Sequence, residues 1–578
     1  MSLLQGWPGL LTGYATVQAP LIVALARARA PLRQFLLSPL LAAPLTVLAG
    51  AALSAAAPLA RTLGATGAAA LELAGGVALS ASLGYGAGRA LVRRARPAVI
   101  HQRGALVAAA DGGTVPRTVR HARTHGPSAH QARRQVTLAG VPVAAADEVK
   151  HFKLIGTTGT GKSTAIQELL SAALRRGDRA VIADPDGGYL RRFYDAGRGD
   201  VILNPFEARS ARWDLFAEIS DDYDVEQLAR SLIPDHEGAD RSWRGYARTF
   251  FSAVTAQAHA AGSREVRELY RLLVVAGTAE LRTLVAGTPA QPFLEEHNGR
   301  MFDSIRSVTS SAVGALEYVA RQHSAPLSVR DWVRSSAAPH AGADEPRGVL
   351  FLPYRAGQIA ALRSTISAWL RLALFEAMNR EEGEQRLWFV VDELDALGQI
   401  DGLKDALARL RKFGGRCVLG FQSIAQVSST YGTGEAQTLV ENCGNTLILR
   451  CSGSEHGGTS QFASRLIGER EVLRTQISRS RRPGEWLPAM THSEHLSVES
   501  AVMGAQIEQL PDLAGYLKLA SRPEWLSVRL SPQAAAALPQ RTARATLSPL
   551  ARAPTPAPRP LPPHATHGVP EGLDHEGY

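Results

Sequence analysis

Residues 154–164 read LIGTTGTGKST. Gly156, four further residues and then Gly161-Lys162-Ser163 follow an apolar segment at 151–155 and open a helical pattern over 165–174. Strand, glycine-rich loop and helix in that order are the setting a phosphate-binding loop requires. Glycines let successive backbone N–H groups turn toward phosphate oxygens, and the following helix adds its positive end. The expected cradle is Gly156, Thr157, Thr158, Gly159, Thr160, Gly161, Lys162, Ser163 and Thr164, with Lys162 on the β/γ-phosphates of ATP and the Ser163 hydroxyl on Mg²⁺.

Hydrolysis needs a second acid for the metal and a base to orient water. Residues 387–397, LWFVVDELDAL, supply an apolar run fit for a buried parallel strand that ends in Asp392-Glu393. Asp392 is the expected Mg²⁺ ligand together with Ser163, and Glu393 the base. The next strand, RCVLGF at 416–421, ends in Gln422, placed to sense a γ-phosphate from a neighbouring strand end.

The chain has 578 residues, 45% hydrophobic content and a formal charge of +10, enough for several domains. Nucleic acid or anionic lipid suits that charge, although charge alone does not choose between them. Cys417, Cys443 and Cys451 lack metal-ligand spacing and read as reduced core residues.

Residues 35–60 carry no charge, about 39 Å as a helix against a hydrocarbon core of about 30 Å. Residues 71–92 form a second candidate span, with Glu72 and Arg89 near its ends. Arg27, Arg29 and Arg33 precede the pair and Arg93, Arg94 and Arg96 follow it, so both flanks are expected on the cytoplasmic side. Residues 3–26 are uncharged but interrupted by Pro8 and Pro20, and read as interfacial or loosely ordered.

The expected organisation is an N-terminal cytoplasmic segment at 1–34, a transmembrane hairpin at 35–92 and a basic connector at 93–135 that holds His101, His121, His125 and His130. A motor split into 136–212 and 326–530 follows, interrupted by an all-alpha insertion at 213–325 where helical periodicity replaces strands. A Pro/Ala-rich tail at 531–578 has too little apolar content to bury a core and is expected to be disordered. The basic loop SRSRRPGEW at 478–486 is a candidate DNA contact.

HFKLIGTTGTGKST (151–164), ILNPFEARSARWDLF (202–216), RSLIPDHEGADRSWRGYARTFF (230–251), WFVVDELDAL (388–397), LARLRKFGGRCVLGFQS (407–423) and the paired apolar spans resemble the type IV secretion coupling proteins, conjugative factors of the TraD/TrwB type. The resemblance covers about residues 35–530. It implies an α/β fold: a RecA-like P-loop NTPase core with an inserted all-alpha domain and an N-terminal two-helix transmembrane hairpin. It further implies an inner-membrane, homohexameric, DNA-binding ATPase that delivers a relaxase-bound strand to a type IV secretion channel. Arg411 then resembles an arginine finger. Two alternatives stay open, a double-stranded DNA translocase of the chromosome-segregation (FtsK) type and a membrane platform that sorts protein effectors.

Overall fold

The computed structural model describes residues 7–27, 30, 32–60, 65–93, 99–109, 135–235, 240–335, 348–379, 386–455, 457–480 and 489–532. His121, His125 and His130, most of the expected connector, residues 481–486 of the basic loop and residues 533–578 of the tail lie outside the described residues. The chain divides into two compact units: 1–102 with 471–498, and 103–470 with 499–578.

In the first unit three helices, α1 (Trp7–Arg27), α2 (Leu32–Ala60) and α3 (Ala65–Arg93), pack on one another. Among the described helices, α2 alone contains a stretch, Gln34–Ala55, long and apolar enough to cross a membrane by length and composition. The second expected span falls in α3, whose Ala- and Gly-rich sequence is too weakly apolar for that measure.

The expectation of loose order before α2 is corrected. Pro8 sits in the first turn of α1, where no intrahelical N–H bond is lost, and the single bond missing at Pro20 is offset by packing. Val17, Leu21, Ala24 and Leu25 of α1 are buried. A Cβ on Gly84 would lie 2.1 Å from the Val17 carbonyl oxygen, and one on Gly88 would lie 2.7 Å from the Ala24 Cβ. The sequence Gly84-x-x-x-Gly88 thus brings α3 onto α1, the close approach such spacing permits.

Two segments leave the expected motor. Glu469–Ser480 and Ala489–Ser500 pair with each other, and the first also pairs with Val99–Gly104, giving a three-stranded sheet.

The second unit is built on a ten-stranded mixed sheet. Its strands in chain order are β1 (Val107–Ala109), β2 (Phe152–Ile155), β3 (Arg179–Pro185), β4 (Val201–Ile202), β5 (Val349–Tyr354), β6 (Leu387–Val391), β7 (Gly415–Phe421), β8 (Asn445–Ile448), β9 (Ala514–Lys518) and β10 (Trp525–Arg529). The sheet order is β1-β10-β9-β8-β2-β7-β6-β3-β5-β4. Strands β8 to β4 in that order run parallel, while β9 and β10 add an antiparallel extension.

Parallel strands buried on both faces read as continuous apolar runs, and β2, β5, β6 and β7 are buried at every position. One face (Leu154, Ile182, Phe351, Val390, Val418) packs with Ile166, Leu169 and Leu170 of helix α4 (Lys162–Arg175). Glu168 of α4 also accepts from the Thr137 hydroxyl at 2.7 Å and from the Ala139 and Gly140 N–H groups at 2.9 Å, tying the preceding turn to the helix.

The opposite face (Val181, Leu350, Phe389, Leu419) shares a core with the insertion and the long helix Ala356–Ala377. Among the described residues, 214–325 hold helices and turns but no strand. The insertion leaves and returns through two short parallel strands, Arg212–Trp213 beside Pro326–Leu327. Buried Glu218 clamps this base, accepting from the Trp213 indole at 2.9 Å and from the Val329 and Arg330 N–H groups at 2.7 and 3.1 Å.

Candidate active site

The parallel strands share one carboxyl edge, and the polar residues that end β2, β3, β6 and β7 gather there. Phe421 pairs with Ile155, and Val391 pairs with both Ala183 and Leu419, so the P-loop, Asp184, Asp392 and Gln422 emerge side by side.

Gly156 follows β2 directly, and its N–H donates to the Phe421 carbonyl at 3.3 Å. A Cβ on Gly156 would stand 2.8 Å from the Thr160 hydroxyl and 2.9 Å from the Leu449 Cβ. Gly161 enters α4 at φ +118°, a conformation L side chains rarely adopt. Both glycines are therefore required by the curl of the loop itself. Thr157 is held by N–H donation to the Arg450 carbonyl at 2.9 Å, and the Thr160 hydroxyl donates to the Thr157 carbonyl at 2.7 Å.

Lys162, the first residue of α4, folds back so that Nζ donates to the Gly156 carbonyl at 2.7 Å and to the Thr157 carbonyl at 3.3 Å. Burial holds its ammonium below the ordinary lysine value, with Asp392 and Glu393 pulling the other way. Ser163 donates to Asp392 Oδ2 at 2.9 Å, closing the distance between two residues 229 apart in sequence.

Asp392 is buried, and its Oδ1 has no partner among the described residues. The space for that oxygen comes from Gly420 on β7, where a Cβ would lie 2.8 Å away. Glu393 takes φ +66°, sparsely populated for a side-chain-bearing residue. Burial first, and then the charge of Asp392, raises its carboxyl above the usual range. Gln422 bridges the two halves of the site. Its Oε1 accepts from the Thr158 hydroxyl at 2.9 Å, and its Nε2 donates to Glu393 Oε1 at 3.1 Å.

This donor set fits ATP with Mg²⁺. The loop is a glycine-shaped cradle at a helix N-terminus, and a hydroxyl and a carboxylate stand together with one buried oxygen unpartnered among the described residues. Thr164 occupies the first turn of α4 beside Ser163.

Arg411 is not part of this cluster. It lies exposed on the turn Leu410–Phe413, before the amino end of β7, whereas the P-loop lies beyond the carboxyl end. Seven residues of strand put the two edges about 20 Å apart.

Sequence reasoning passed over three residues that the fold places here. Tyr189 donates its hydroxyl to Asp392 Oδ2 at 2.7 Å, Asp184 is fully buried at the end of β3, and the buried Tyr354 hydroxyl has no partner among the described residues. Asp184 stands out in the sequence as the polar end of an apolar strand, RAVIAD, the same signal that marks Asp392. Tyr189 and Tyr354 carry no such signal. The three cysteines are free and buried.

Residues 135–531 match the family described as the type IV secretion-system coupling protein DNA-binding domain. The chain belongs to the type IV secretion-system coupling proteins. The coupling protein TraD of Escherichia coli strain K12 is 31% identical to it over 387 residues, which cover 66% of this chain and 53% of TraD. The conjugal transfer protein TraG of Escherichia coli is 24% identical over 373 residues, 56% of either chain. This coupling protein thus spans about half the length of the curated relatives it matches. Among solved structures, the conjugative coupling protein TrwBdeltaN70 with sulphate shares 30% identity and a TM-score of 0.64, covering 78% of this chain and 99% of that one. TrwB has also been solved with the ATP analogue ADPNP (31% identity, 76% and 96% coverage, TM-score 0.63) and with ADP and Mg²⁺ (30%, 77% and 96%, 0.62). The RecA-like α/β NTPase fold of this coupling protein is theirs.

Proposed function

We propose that this chain is an inner-membrane, ATP-hydrolysing conjugative coupling protein that binds DNA and delivers a relaxase–DNA complex to a type IV secretion channel. The observation that carries the reading is the meeting of Ser163, Asp392, Glu393 and Gln422 around the P-loop cradle. TrwB, which shares the fold, holds an ATP analogue and ADP with Mg²⁺.

In this reading the 156–164 backbone and Lys162 bind the phosphates, and Lys162 leaves its present carbonyl partners to do so. Ser163 and Asp392 hold Mg²⁺, which neutralises charge on the phosphates when bound. Glu393, with its raised carboxyl affinity for protons, takes the proton of the attacking water, and Gln422 links its position to Thr158 in the loop. Arg411 stands at the wrong edge of the sheet for its own site, which suits action on a neighbouring subunit of a homohexamer. The boundaries 136–212, 213–325 and 326–530 serve as motor, insertion and motor, less the strands Glu469–Ser480 and Ala489–Ser500.

The anchor is read as membrane-spanning through α2 and α3. Since α1 packs along α3 at Gly84 and Gly88, α1 crosses as well, giving three spans with the Arg27–Arg33 and Arg93–Arg96 flanks cytoplasmic.

Purified chain should hydrolyse ATP faster with DNA present, with DNA affinity falling steeply with salt. Lys162→Ala should abolish turnover, and Glu393→Gln should lower it about 10²-fold or more while ATP still binds. Wild-type turnover in Glu393→Gln refutes the base. A deletion strain complemented by Lys162→Ala should remain unable to transfer DNA; normal transfer with loss of protein secretion instead makes the chain an effector sorter.

A further inference from the structure

Asp392 Oδ2 accepts two hydrogen bonds, one from Ser163 at 2.9 Å and one from the Tyr189 hydroxyl at 2.7 Å. The second comes from outside every motif that marks the site. Tyr189 is 2% exposed and lies 203 residues from Asp392 in sequence. It reaches the carboxylate because β3 and β6 are neighbours in register, Ala183 beside Val391, so that the segment leaving β3 runs past the end of β6.

The tyrosine is itself held in place. Asp184, fully buried, accepts the Tyr189 N–H on one oxygen at 3.0 Å and the Leu190 N–H on the other at 2.7 Å. This bidentate grip fixes the start of the short helix Gly188–Phe193 after a turn through Asp186 at φ +58° and Gly187 at φ +67°. Backbone, ring and hydroxyl are therefore all constrained, and the hydroxyl meets a carboxylate that can only accept.

A carboxylate on a two-bond side chain is free to rotate about its terminal torsion unless something holds one oxygen. Here two donors hold Oδ2, leaving Oδ1 as the oxygen without a partner among the described residues. A serine hydroxyl has lone pairs separate from its O–H, so Ser163 can meet Mg²⁺ and still donate to Oδ2, and the Tyr189 hydroxyl is the second donor that keeps the carboxylate turned.

We propose that Tyr189 is a positioning residue for Mg²⁺ binding: it orients the Asp392 carboxylate by hydrogen-bond donation, and Asp184 orients Tyr189. The inference rests on the reading of Asp392 as the metal ligand. Partners of a ligating carboxylate typically contribute about 10- to 100-fold in metal affinity, whereas a tyrosine that merely fills space contributes nothing through its oxygen.

The test is a titration of the full chain, in detergent and saturated with ADP, with Mn²⁺ as the probe and free Mn²⁺ read by electron paramagnetic resonance. Tyr189→Phe keeps the ring and should weaken Mn²⁺ about tenfold, with metal-free ADP affinity and melting temperature close to wild type. Asp184→Asn, which keeps the tyrosine but loosens its grip, should shift Mn²⁺ affinity in the same direction by less. Wild-type Mn²⁺ affinity in Tyr189→Phe overturns the proposal, and so does a loss of metal-free ADP binding, which would mean general collapse of the loop. If Tyr189→Phe does not fold, the Asp184→Asn titration decides alone. Asp392→Asn separates the two readings. If it keeps Mn²⁺, the metal assignment fails; if it loses Mn²⁺ while Tyr189→Phe does not, only the role of Tyr189 falls.

Discussion

His151, the residue before β2, is 2% exposed and held at φ +57°. Its Nδ1 accepts the Cys417 N–H at 3.1 Å, so Nε2 carries the proton and donates to the Leu407 carbonyl at 2.8 Å. The neutral ring is thus fully bonded, and charging it would place a cation in the core near Arg416. Burial lowers its pKa to about 4. A base that binds its proton more weakly when folded adds stability above its unfolded value of about 6.5, and loses it as pH falls toward 4; the shift corresponds to about 3 kcal/mol. Urea unfolding of the full chain should show stability falling over that window, and His151→Gln should flatten the slope. An equally steep slope in the variant would assign acid sensitivity to other groups. This histidine was legible only as part of an apolar run. Lys162, Ser163, Asp392, Glu393 and Gln422 were legible because their chemistry is written in consecutive residues after apolar strands. Tyr189 and Asp184 join the site through strand register, and nothing within a few residues of either records which strands are neighbours.

Among elements, α1 shows most clearly how packing outweighs local signals. Its two prolines argue against a continuous helix, and the partner that stabilises it lies about sixty residues on, in Gly84-x-x-x-Gly88. The three-stranded sheet was hidden for a related reason: EREVLRTQISRS holds only Val472, Leu473 and Ile477 as apolar residues, too few and too irregular to show a strand period, and its partner Val99–Gly104 sits in a stretch dominated by basic composition. The helical insertion was legible because amphipathic periodicity is local. If α1 crosses the membrane beside α3, its Trp7 end faces the periplasm. The thiol of a Gln5→Cys variant should then react with a membrane-impermeant maleimide in intact spheroplasts, the native cysteines being buried. Protection of that thiol until the membrane is dissolved would restore a two-span anchor. Gly84→Leu drives a side chain into backbone at Val17, which cannot yield, and should detach α1 and abolish that labelling pattern while α2 stays inserted.

For the whole molecule, the parallel sheet separates two parts of the proposed hydrolytic site. The residues proposed as base and metal ligands stand at its carboxyl edge, and Arg411 stands exposed before the amino end of β7, about 20 Å away along the strand. A rigid strand buried at every position cannot shorten to bring them together, so an Arg411 that acts on phosphate acts on a neighbour's. The proposed homohexamer supplies that geometry if each head-to-tail interface joins the amino edge of one subunit to the carboxyl edge of the next. Arg411→Ala should then lower ATPase activity by about 10³-fold, the scale of a charge that stabilises transferring phosphate, with ATP affinity little changed. Glu393→Gln alone is lower in activity than wild type by about 10²-fold or more. Mixed one to one, the two variants form some interfaces in which an intact Glu393 faces an intact Arg411, about a quarter of the total if subunits assort at random, and activity should return to about that fraction of wild type if sites act independently. A chain carrying both substitutions, mixed with either single variant, should give no rescue. Absence of rescue in rings shown by differential labelling to be mixed would place Arg411 outside the reaction and leave its exposed guanidinium to some other contact.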